Sequence, residues 1–548
     1  MSHHPATGLY DTLSHLCLNV GERHLGSPGE AAAQDYLAAR LGEGGYEVVR
    51  EAFDAPGWEY GPFSITTEGG EAIDAFPCYF SPGGEVTAPL VPYTGVEPPE
   101  TCRGKIAFSG RHDFTHVGDT NALAEKLEKA GAAAWIVNSP YNDTFSTKIV
   151  RNPGLERMPV FTISQRTALR LAREAGRPVH LKLEARRFPH RSANLIARHT
   201  GSGRRKLVIG AHYDSAPGIQ GAADNGTGIA LLVHLVRALK PHLGDWSVDF
   251  VAFGAEEYGG PGFGLGGFEY MKAHQEEPIE AMLCLDGLGT FLGNPEARVG
   301  RNGLLRRWVK EETGFTPRPY RRGSDQGIFD QHGIPTAWFC DGGAPSGIGH
   351  FPLHSPQDVL EIVDFTRLER FAADLERFTG RLLREGVPAA PPAEIVPLEK
   401  EDLPAVRELV SAVWTMGMSY RREQLYGRVF DAPWQEKIAR AVAEYLADEK
   451  VHAVKALVDG TFAGFLSYRI DAANRFGEIG YNAVAPAFGG RNLGRRMLDA
   501  ALEALRCAGV EDVEVITGLD DGHAPARAVY EGAGFRPMHS SIQYTLRL

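Results

Sequence analysis

The sequence has few cysteines, no excess of basic residues and no long uninterrupted apolar segment. Its 6 cysteines include no CxxC pair, which excludes a disulfide framework and predicts buried, reduced thiols in a cytoplasmic protein. The formal net charge of −12 argues against nucleic acid or an anionic membrane as the main partner. The start of the chain lacks the basic and apolar regions of a secretory signal. The run IALLVHLVRAL is interrupted by His234 and Arg237 and is too short to span a membrane.

What is present is the composition of a folded chain with several domains. Hydrophobic residues make up 43% and charged residues 23% of the 548 positions, so disorder is not expected and three or four domains are. The pattern divides the chain into a helical first part (1–60), a strand- and turn-rich part (61–187), a part in which strands alternate with helices (188–384), a Pro/Ala-rich linker (385–392) and a second α/β part (393–548). The alternation in 188–384 is typical of a mainly parallel sheet covered by helices on both faces.

Three consecutive strands of the third part end in side chains that commonly bind metals. These are His212 and Asp214 after KLVIGA, Glu256 and Glu257 after DFVAFGA, and Asp286 after AMLCL. Because ligands bind beyond the carboxyl ends of parallel strands, we expect these side chains to meet at one edge of the sheet. Carboxylates combined with imidazoles suit zinc or a neighbouring divalent ion.

Asp224, at the start of an apolar helix, and His354, in a glycine-rich loop, complete a set that fits two cations. Two cations about 3.5–4 Å apart need a shared ligand, and Asp224 can bridge. Each cation then takes two further ligands: His212 and Asp286 for one, Glu257 and His354 for the other. Glu256 remains without a metal, so it is the predicted general base, which accepts a proton from the attacking water and delivers it to a leaving amine.

The residues around this set resemble the co-catalytic dizinc aminopeptidases of clan MH. The resemblance covers 1–60 and 188–384 and rests on HYD at 212–214, GAADN around Asp224, EE at 256–257, SDQGIFDQHGIP at 324–335 and HSPQD around His354. It implies a phosphorylase/hydrolase-like zinc peptidase fold, two zinc ions or similar divalent metals, and peptides or small amine-bearing molecules as substrates. It also implies the same five ligands and the same base, with Asp214 supporting His212 and Asp358 supporting His354. Glutaminyl cyclases share the fold but usually bind one zinc, so the five-ligand set favours peptide hydrolysis.

Residues 61–187 resemble the protease-associated domain through CRGKIAFSGRHDF and LAEKLEKAGAAAWIV. The resemblance implies a β-rich insert with no chemistry of its own. Two roles stay open at this point: a partial lid that restricts substrate size, or a module that only stabilises the point of insertion.

The segment 393–548 resembles a GNAT acetyltransferase, which implies acetyl-CoA as cofactor. A hairpin turn at Asp459-Gly460 and a helix that starts near Leu493 carry the resemblance, because amides at a helix start can cradle a pyrophosphate. The cradle residues would be Val484, Gly489, Gly490, Arg491, Asn492, Leu493, Gly494 and Arg495. Gly489 and Asn492 depart from the family pattern, although Asn tolerates a left-handed backbone. Tyr530 is the predicted acid that protonates the departing thiolate.

The leading hypothesis is a bifunctional enzyme, a metalloaminopeptidase fused to an acetyl-CoA-dependent N-acetyltransferase, with no nucleic-acid or membrane partner. The alternative is a metal-dependent amidase or deacylase of non-peptide amines with a degenerate, binding-only GNAT domain. A third hypothesis, of a different class, is a binding protein in which one or both domains are inactive.

Overall fold

Two sheets, one of 13 strands and one of 5, organise the described part of the chain. The computed structural model describes residues 8–95, 97–109, 117–260, 264–300, 303–318, 320, 323–342, 353–388, 393–414, 420, 423, 432–458, 460–489, 491–519 and 523–539. One compact unit comprises Met1–Gly300 and Leu305–Pro388, and the other comprises Arg301–Leu304 and Ala389–Leu548. Of the predicted linker, 389–392 lie outside the described residues.

The sheet of the first unit is parallel at its centre and antiparallel at its flanks. Its strands are β1 (Glu47–Thr67), β2 (Phe76–Pro77), β3 (Gly84–Pro92), β4 (Ile106–Ser109), β5 (Ala134–Asn138), β6 (Val160–Ile163), β7 (Pro178–His199), β8 (Lys206–His212), β9 (Ser247–Phe253), β10 (Ile279–Leu285), β11 (Asn294–Val299), β12 (Thr316–Arg318) and β13 (Thr336–Gly342). The order is β12-β11-β13-β10-β8-β9-β7-β3-β4-β5-β6-β2, and β1 pairs with β7. Strands β13, β10, β8 and β9 run parallel, which confirms the predicted parallel α/β centre, and β11 and β7 flank them antiparallel.

Helices cover both faces of this centre. They are α1 (Gly8–Ser14), α2 (Pro28–Gly42), α3 (Val117–Ala130), α4 (Gln165–Leu171), α5 (Thr227–Ala238), α6 (Leu265–His274), α7 (Arg306–Glu312), α8 (Gln326–Gln331) and α9 (Phe365–Glu385). Because side chains alternate along a strand, Ile209 and Phe250 join the core with α1, α2, α5 and α9. Their neighbours Val208 and Val251 join the core with α6 and α8 on the other face. The centre is therefore buried on both sides, and its free edges for ligands are the strand ends.

The insert is continuous with the metal-binding part through two long strands. Strands β1 and β7 pair antiparallel along most of their length, with one register shift between Tyr60 and Phe63. The boundaries predicted after residues 60 and 187 fall inside these strands. Within the insert, β3, β4, β5 and β6 are parallel neighbours with a core of their own that includes Ile136 and Phe161.

The second unit has an antiparallel sheet that opens at one edge. Its elements are β14 (Ala393–Pro397), α10 (Leu403–Val413), α11 (Trp434–Leu446), β15 (Val451–Val458), β16 (Thr461–Asp471), β17 (Phe476–Val484), α12 (Leu493–Cys507), β18 (Asp512–Val515) and α13 (Ala524–Gly532). The predicted hairpin joins β15 to β16, and Gly460 adopts the left-handed φ of 73° that its turn needs; Asp459 lies outside the described residues. Strand β17 pairs with β18 only over Phe476–Ile479, so its last residues extend beyond the end of β18.

The described helices and the cysteines agree with the composition. No helix among the described residues is long and apolar enough to cross a bilayer. All six cysteines are unpaired; Cys507 is exposed and the other five are buried, where a thiol packs as a small apolar side chain.

Candidate metal centre

The five predicted ligands form two groups that share Asp224. Ligand atoms within 4.8 Å of one another come from His212, Asp224 and Asp286 in the first group and from Asp224, Glu257 and His354 in the second. Oδ1 of Asp224 lies 3.1 Å from Nε2 of His212, and Oδ2 lies 3.0 Å from Nε2 of His354. Each oxygen of one carboxylate therefore faces a different imidazole, as a bridging ligand must.

The donor atoms are spaced as ligands of a divalent cation would be. In a tetrahedral site with metal–ligand distances of about 2.0–2.1 Å, neighbouring ligand atoms lie roughly 3.3 Å apart. Nε2 of His212 is 3.3 Å from Oδ1 of Asp286, and Nε2 of His354 is 3.5 Å from Oε2 of Glu257. Glu257 is fully buried, yet neither of its carboxylate oxygens accepts a hydrogen bond, which is unusual for a buried carboxylate. These donors fit two divalent cations.

Asp214 connects the ends of β8 and β9. Its carboxylate accepts hydrogen bonds from the amides of Glu256 (3.0 Å) and Glu257 (2.9 Å). Nδ1 of His212 lies 3.1 Å from the backbone oxygen of Asp214 and 3.4 Å from its carboxylate. Because a carbonyl can only accept, Nδ1 carries the proton and Nε2 directs its lone pair at Asp224 and Asp286. The contact between Asp214 and His212 was predicted, and the contacts with the two glutamate amides were not.

Asp358 supports the loop that carries Asp224. Its two oxygens accept hydrogen bonds from the amides of Ala223 (2.7 Å) and Asp224 (3.1 Å). The sequence analysis had assigned Asp358 to His354; the structure instead uses both oxygens for the Asp224 loop. The reason is that these amides precede α5, where the first N–H groups of a helix lack carbonyl partners.

Arg23 joins the loop after β8 to the loop of Asp224. Its fully buried guanidinium donates to the backbone oxygens of Tyr213 (2.7 Å), Gln220 (2.6 Å) and Gly221 (3.0 Å). Three carbonyls converge on one planar fork of donors, so the two loops are held at a fixed separation.

The predicted base is surrounded by other acids and by one lysine. Burial raises the pKa of Glu256 to about 7, although the nearby charge of Lys148 opposes this. Burial also raises the pKa of Asp325 well above its usual value, and the charge of Glu256 adds to the effect. Two carboxyls that disfavour each other's ionisation surround a position where added positive charge is stabilised.

The imidazoles respond to the same excess of negative charge. Burial alone would lower the pKa of His212, but the neighbouring carboxylates, Asp286 first, raise it well above its usual value. Burial would raise the pKa of Asp224, but hydrogen bonds with His212 and His354 hold it well below its usual range. The cluster therefore attracts a cation, either protons or metal ions.

Three residues at the centre were missed by the sequence analysis. Asp325 lies within the quoted SDQGIF motif and Arg23 within the quoted amino-terminal segment, so the sequence contained a signal for both. Lys148 contacts Glu256 and Glu257 from the insert. Nothing in the local sequence STKIV points to a site.

In the second unit, the predicted cradle has the backbone that an anion site needs at a helix start. Asn492 is left-handed (φ 56°, ψ 19°) and directly precedes α12, so it adopts the conformation expected where the family pattern has glycine. Val484 is the last residue of β17. The guanidinium of Arg495 donates to Asp499 (2.7 Å) and to the backbone oxygen of Gly532 (2.6 Å). Gly490 lies outside the described residues.

Tyr530 lies on α13 with its hydroxyl facing β17. Nδ2 of Asn482 donates to that hydroxyl at 2.7 Å, so the tyrosine proton is free for another acceptor. Burial raises the pKa of Tyr530, which keeps the hydroxyl protonated. Asn482 belongs to the part of β17 that extends beyond β18.

Comparisons with known proteins match both units. The profile of peptidase family M28 matches residues 194–379, which contain all five predicted metal ligands, and the profile of the acetyltransferase (GNAT) family matches residues 419–535. The chain carries an M28 peptidase domain followed by a GNAT domain. Aminopeptidase YwaD of Bacillus subtilis is 28% identical to it over 392 residues, which are 67% of this chain and 82% of that protein.

Further relatives cover each domain. The structure of a zinc aminopeptidase from Bacillus subtilis superposes with a TM-score of 0.57 at 25% identity and covers 69% of this chain and 96% of that one. The mycothiol acetyltransferase of Beutenbergia cavernae is 45% identical over 74 residues, which are 14% of this chain and 24% of that protein. The similarity to the aminopeptidases thus extends beyond the stretch that the M28 profile matches.

We expect Asp214→Asn to destabilise the M28 domain by about 1–3 kcal/mol, because one of the two buried glutamate amides then faces an amide nitrogen and loses its acceptor. Urea unfolding of chelator-treated protein measures the change. Asp245→Asn is the matched control, since Asp245 lies in an exposed ion pair with Arg205. Equal stability of the two variants would contradict the role given to Asp214.

Proposed function

We propose that the M28 domain is a zinc-dependent aminopeptidase that removes amino-terminal residues from peptides. The observation that carries the proposal is the Asp224 carboxylate, with one oxygen 3.1 Å from His212 and the other 3.0 Å from His354. The ligands in this proposal are His212, Asp224 and Asp286 for one ion, and Asp224, Glu257 and His354 for the other. The similarity to aminopeptidase YwaD supports the substrate class.

The two adjacent glutamates have different roles in this proposal. Bound divalent cations supply Lewis-acid chemistry, which polarises the scissile carbonyl and lowers the pKa of water. Glu256, with a pKa that burial raises to about 7, accepts the proton of the attacking water and passes it to the leaving amine. Glu257 is a ligand. The hydrogen bonds of both amides to Asp214 support this division, since they fix the base relative to the ligand.

Removal of metal should abolish hydrolysis, and zinc should restore it. Chelator-treated protein is assayed with a panel of aminoacyl-p-nitroanilides and a panel of N-acyl amines, before and after zinc is added back. We expect zinc-dependent cleavage of the anilides only. Cleavage of N-acyl amines instead would favour the amidase or deacylase alternative, and hydrolysis that survives complete metal removal would contradict both.

The variants Glu256→Gln and Glu257→Gln should fail in different ways. Loss of a general base lowers kcat by about 10²–10⁴-fold, so Glu256→Gln should be nearly inactive while it still binds two zinc ions per chain. Glu257→Gln should bind fewer, because a ligand is weakened. Metal analysis of the purified variants, together with kcat on one anilide, separates the roles; a Glu256→Gln variant that retains activity would refute the assigned base.

We further propose that the GNAT domain transfers an acetyl group from acetyl-CoA to an amine. The left-handed Asn492 and the helix start at Leu493 support an anion cradle formed by Val484, Gly489, Gly490, Arg491, Asn492, Leu493, Gly494 and Arg495. The similarity to a mycothiol acetyltransferase supports the type of reaction. In this proposal Tyr530 protonates the departing thiolate.

The variant Tyr530→Phe should lower acetyl transfer by about 10²-fold or more without loss of acetyl-CoA binding, because only the acid is removed. Isothermal titration with acetyl-CoA and a thiol-release assay measure the two quantities, and hydrolysis of an aminoacyl anilide should not change. Tyr468→Phe is the control, since Tyr468 is a buried tyrosine of the same core. Equal transfer rates in the two variants would refute the role of Tyr530.

Two coarser assignments complete the proposal. Unpaired cysteines, five of them buried, support a cytoplasmic location. Residues 61–187 are proposed as a protease-associated insert, with a role at the substrate entrance rather than only in stabilisation. Contacts between its loop and the candidate metal centre support that role.

A further inference from the structure

A loop of the insert is fixed directly to the second metal-binding group. The amide of Thr147 donates to the backbone oxygen of His354 at 2.8 Å, and Arg151 donates to the backbone oxygen of Glu257 at 2.9 Å. The hydroxyl of Tyr141 donates to the backbone oxygen of Leu353 at 3.1 Å. The loop of residues 139–152 is therefore held by the backbone of both non-shared ligands of this group.

This loop carries Lys148 into the centre. The lysine side chain is only 9% exposed, and its Nζ lies 3.4 Å from Oε2 of Glu256 and in closer contact with Oε2 of Glu257. The same Glu257 oxygen lies 3.5 Å from Nε2 of His354. The ammonium group thus contacts the oxygen that a cation held by Asp224, Glu257 and His354 would use.

Charge compensation explains why a lysine is buried here. An unpaired buried carboxylate is strongly disfavoured, and Glu257 accepts no hydrogen bond. Lys148 supplies the positive charge that the carboxylates of Glu256 and Glu257 need when no metal ion is bound. A divalent cation at the same oxygen would be repelled by the ammonium, so the two cannot both be held there closely.

We propose that Lys148 is a built-in counter-ion of the Asp224–Glu257–His354 group, which competes with the divalent cation for that group. The inference rests on the proposed two-metal function. The group of His212, Asp224 and Asp286 lacks such a competitor among the described residues, so it fills first and the second group fills more weakly. When the cation binds, Lys148 leaves Glu257 and keeps Glu256 as its partner. The insert thereby sets the occupancy of the second metal position.

The test is zinc binding to chelator-treated full-length protein with Lys148→Met, which removes the charge and keeps most of the side-chain length. Isothermal titration with zinc should resolve a strong and a weak step in the natural protein. In the variant we expect the weak step to tighten by at least about tenfold, since coupling of close charge pairs is of that order or more. Thermal melting of the metal-free variant should occur at a lower temperature, because the buried glutamates have lost their counter-ion.

Two further variants keep the outcome interpretable. Lys148→Arg retains the charge and should retain the weak step, and Lys129→Met, in an exposed ion pair of the same insert, should change neither quantity. An unchanged or weaker second step in Lys148→Met would overturn the proposal, and Lys148→Gln provides the same reading if the methionine variant does not fold. If the natural protein binds fewer than two zinc ions, the two-metal function itself fails. If it binds two with equal affinity, only the role of Lys148 fails.

Discussion

One buried carboxylate controls the geometry of the candidate metal centre. Asp214 accepts hydrogen bonds from the amides of Glu256 and Glu257 and lies against Nδ1 of His212, so the ends of β8 and β9 cannot separate without exposing unpaired buried groups. The tautomer of one ligand and the positions of the base and of a second ligand follow from this single side chain. Arg23 and Asp358 extend the constraint to the loop of Asp224.

The centre is also defined by an excess of negative charge, which must be balanced. Protonation balances part of it, as the raised pKa values of Glu256, Asp325 and His212 indicate, and Lys148 balances another part. In the proposed function, divalent cations replace these positive charges. The acidic cluster and the lysine are thus two sides of one electrostatic requirement, although more than 100 positions of sequence separate Lys148 from Glu257.

Much of the centre could be predicted because it follows from local sequence and sheet topology. The ends of β8, β9 and β10 had to meet at one edge once a parallel sheet was inferred, and conversion of the β and α periodicities into elements was correct for the strands and helices that carry them. Lys148 could not be predicted, since its role comes from a fold-level contact between the insert and the centre. The partner of Asp358 was predicted wrongly for a related reason: adjacency in sequence suggested His354, whereas the unpaired amides before α5 attracted the carboxylate.

The paired strands β1 and β7, with 21 and 22 residues, belong to both the insert and the metal-binding part. A connection of this kind has no single pivot, so any displacement of the insert must be shared as a small bend and twist over many ladder hydrogen bonds. The reach of its loop into the centre is consequently tied to strand registry. A deletion of one residue from either strand would turn the outward side chains inward and carry the tip of the insert away from the carboxylates, without altering any residue that touches them.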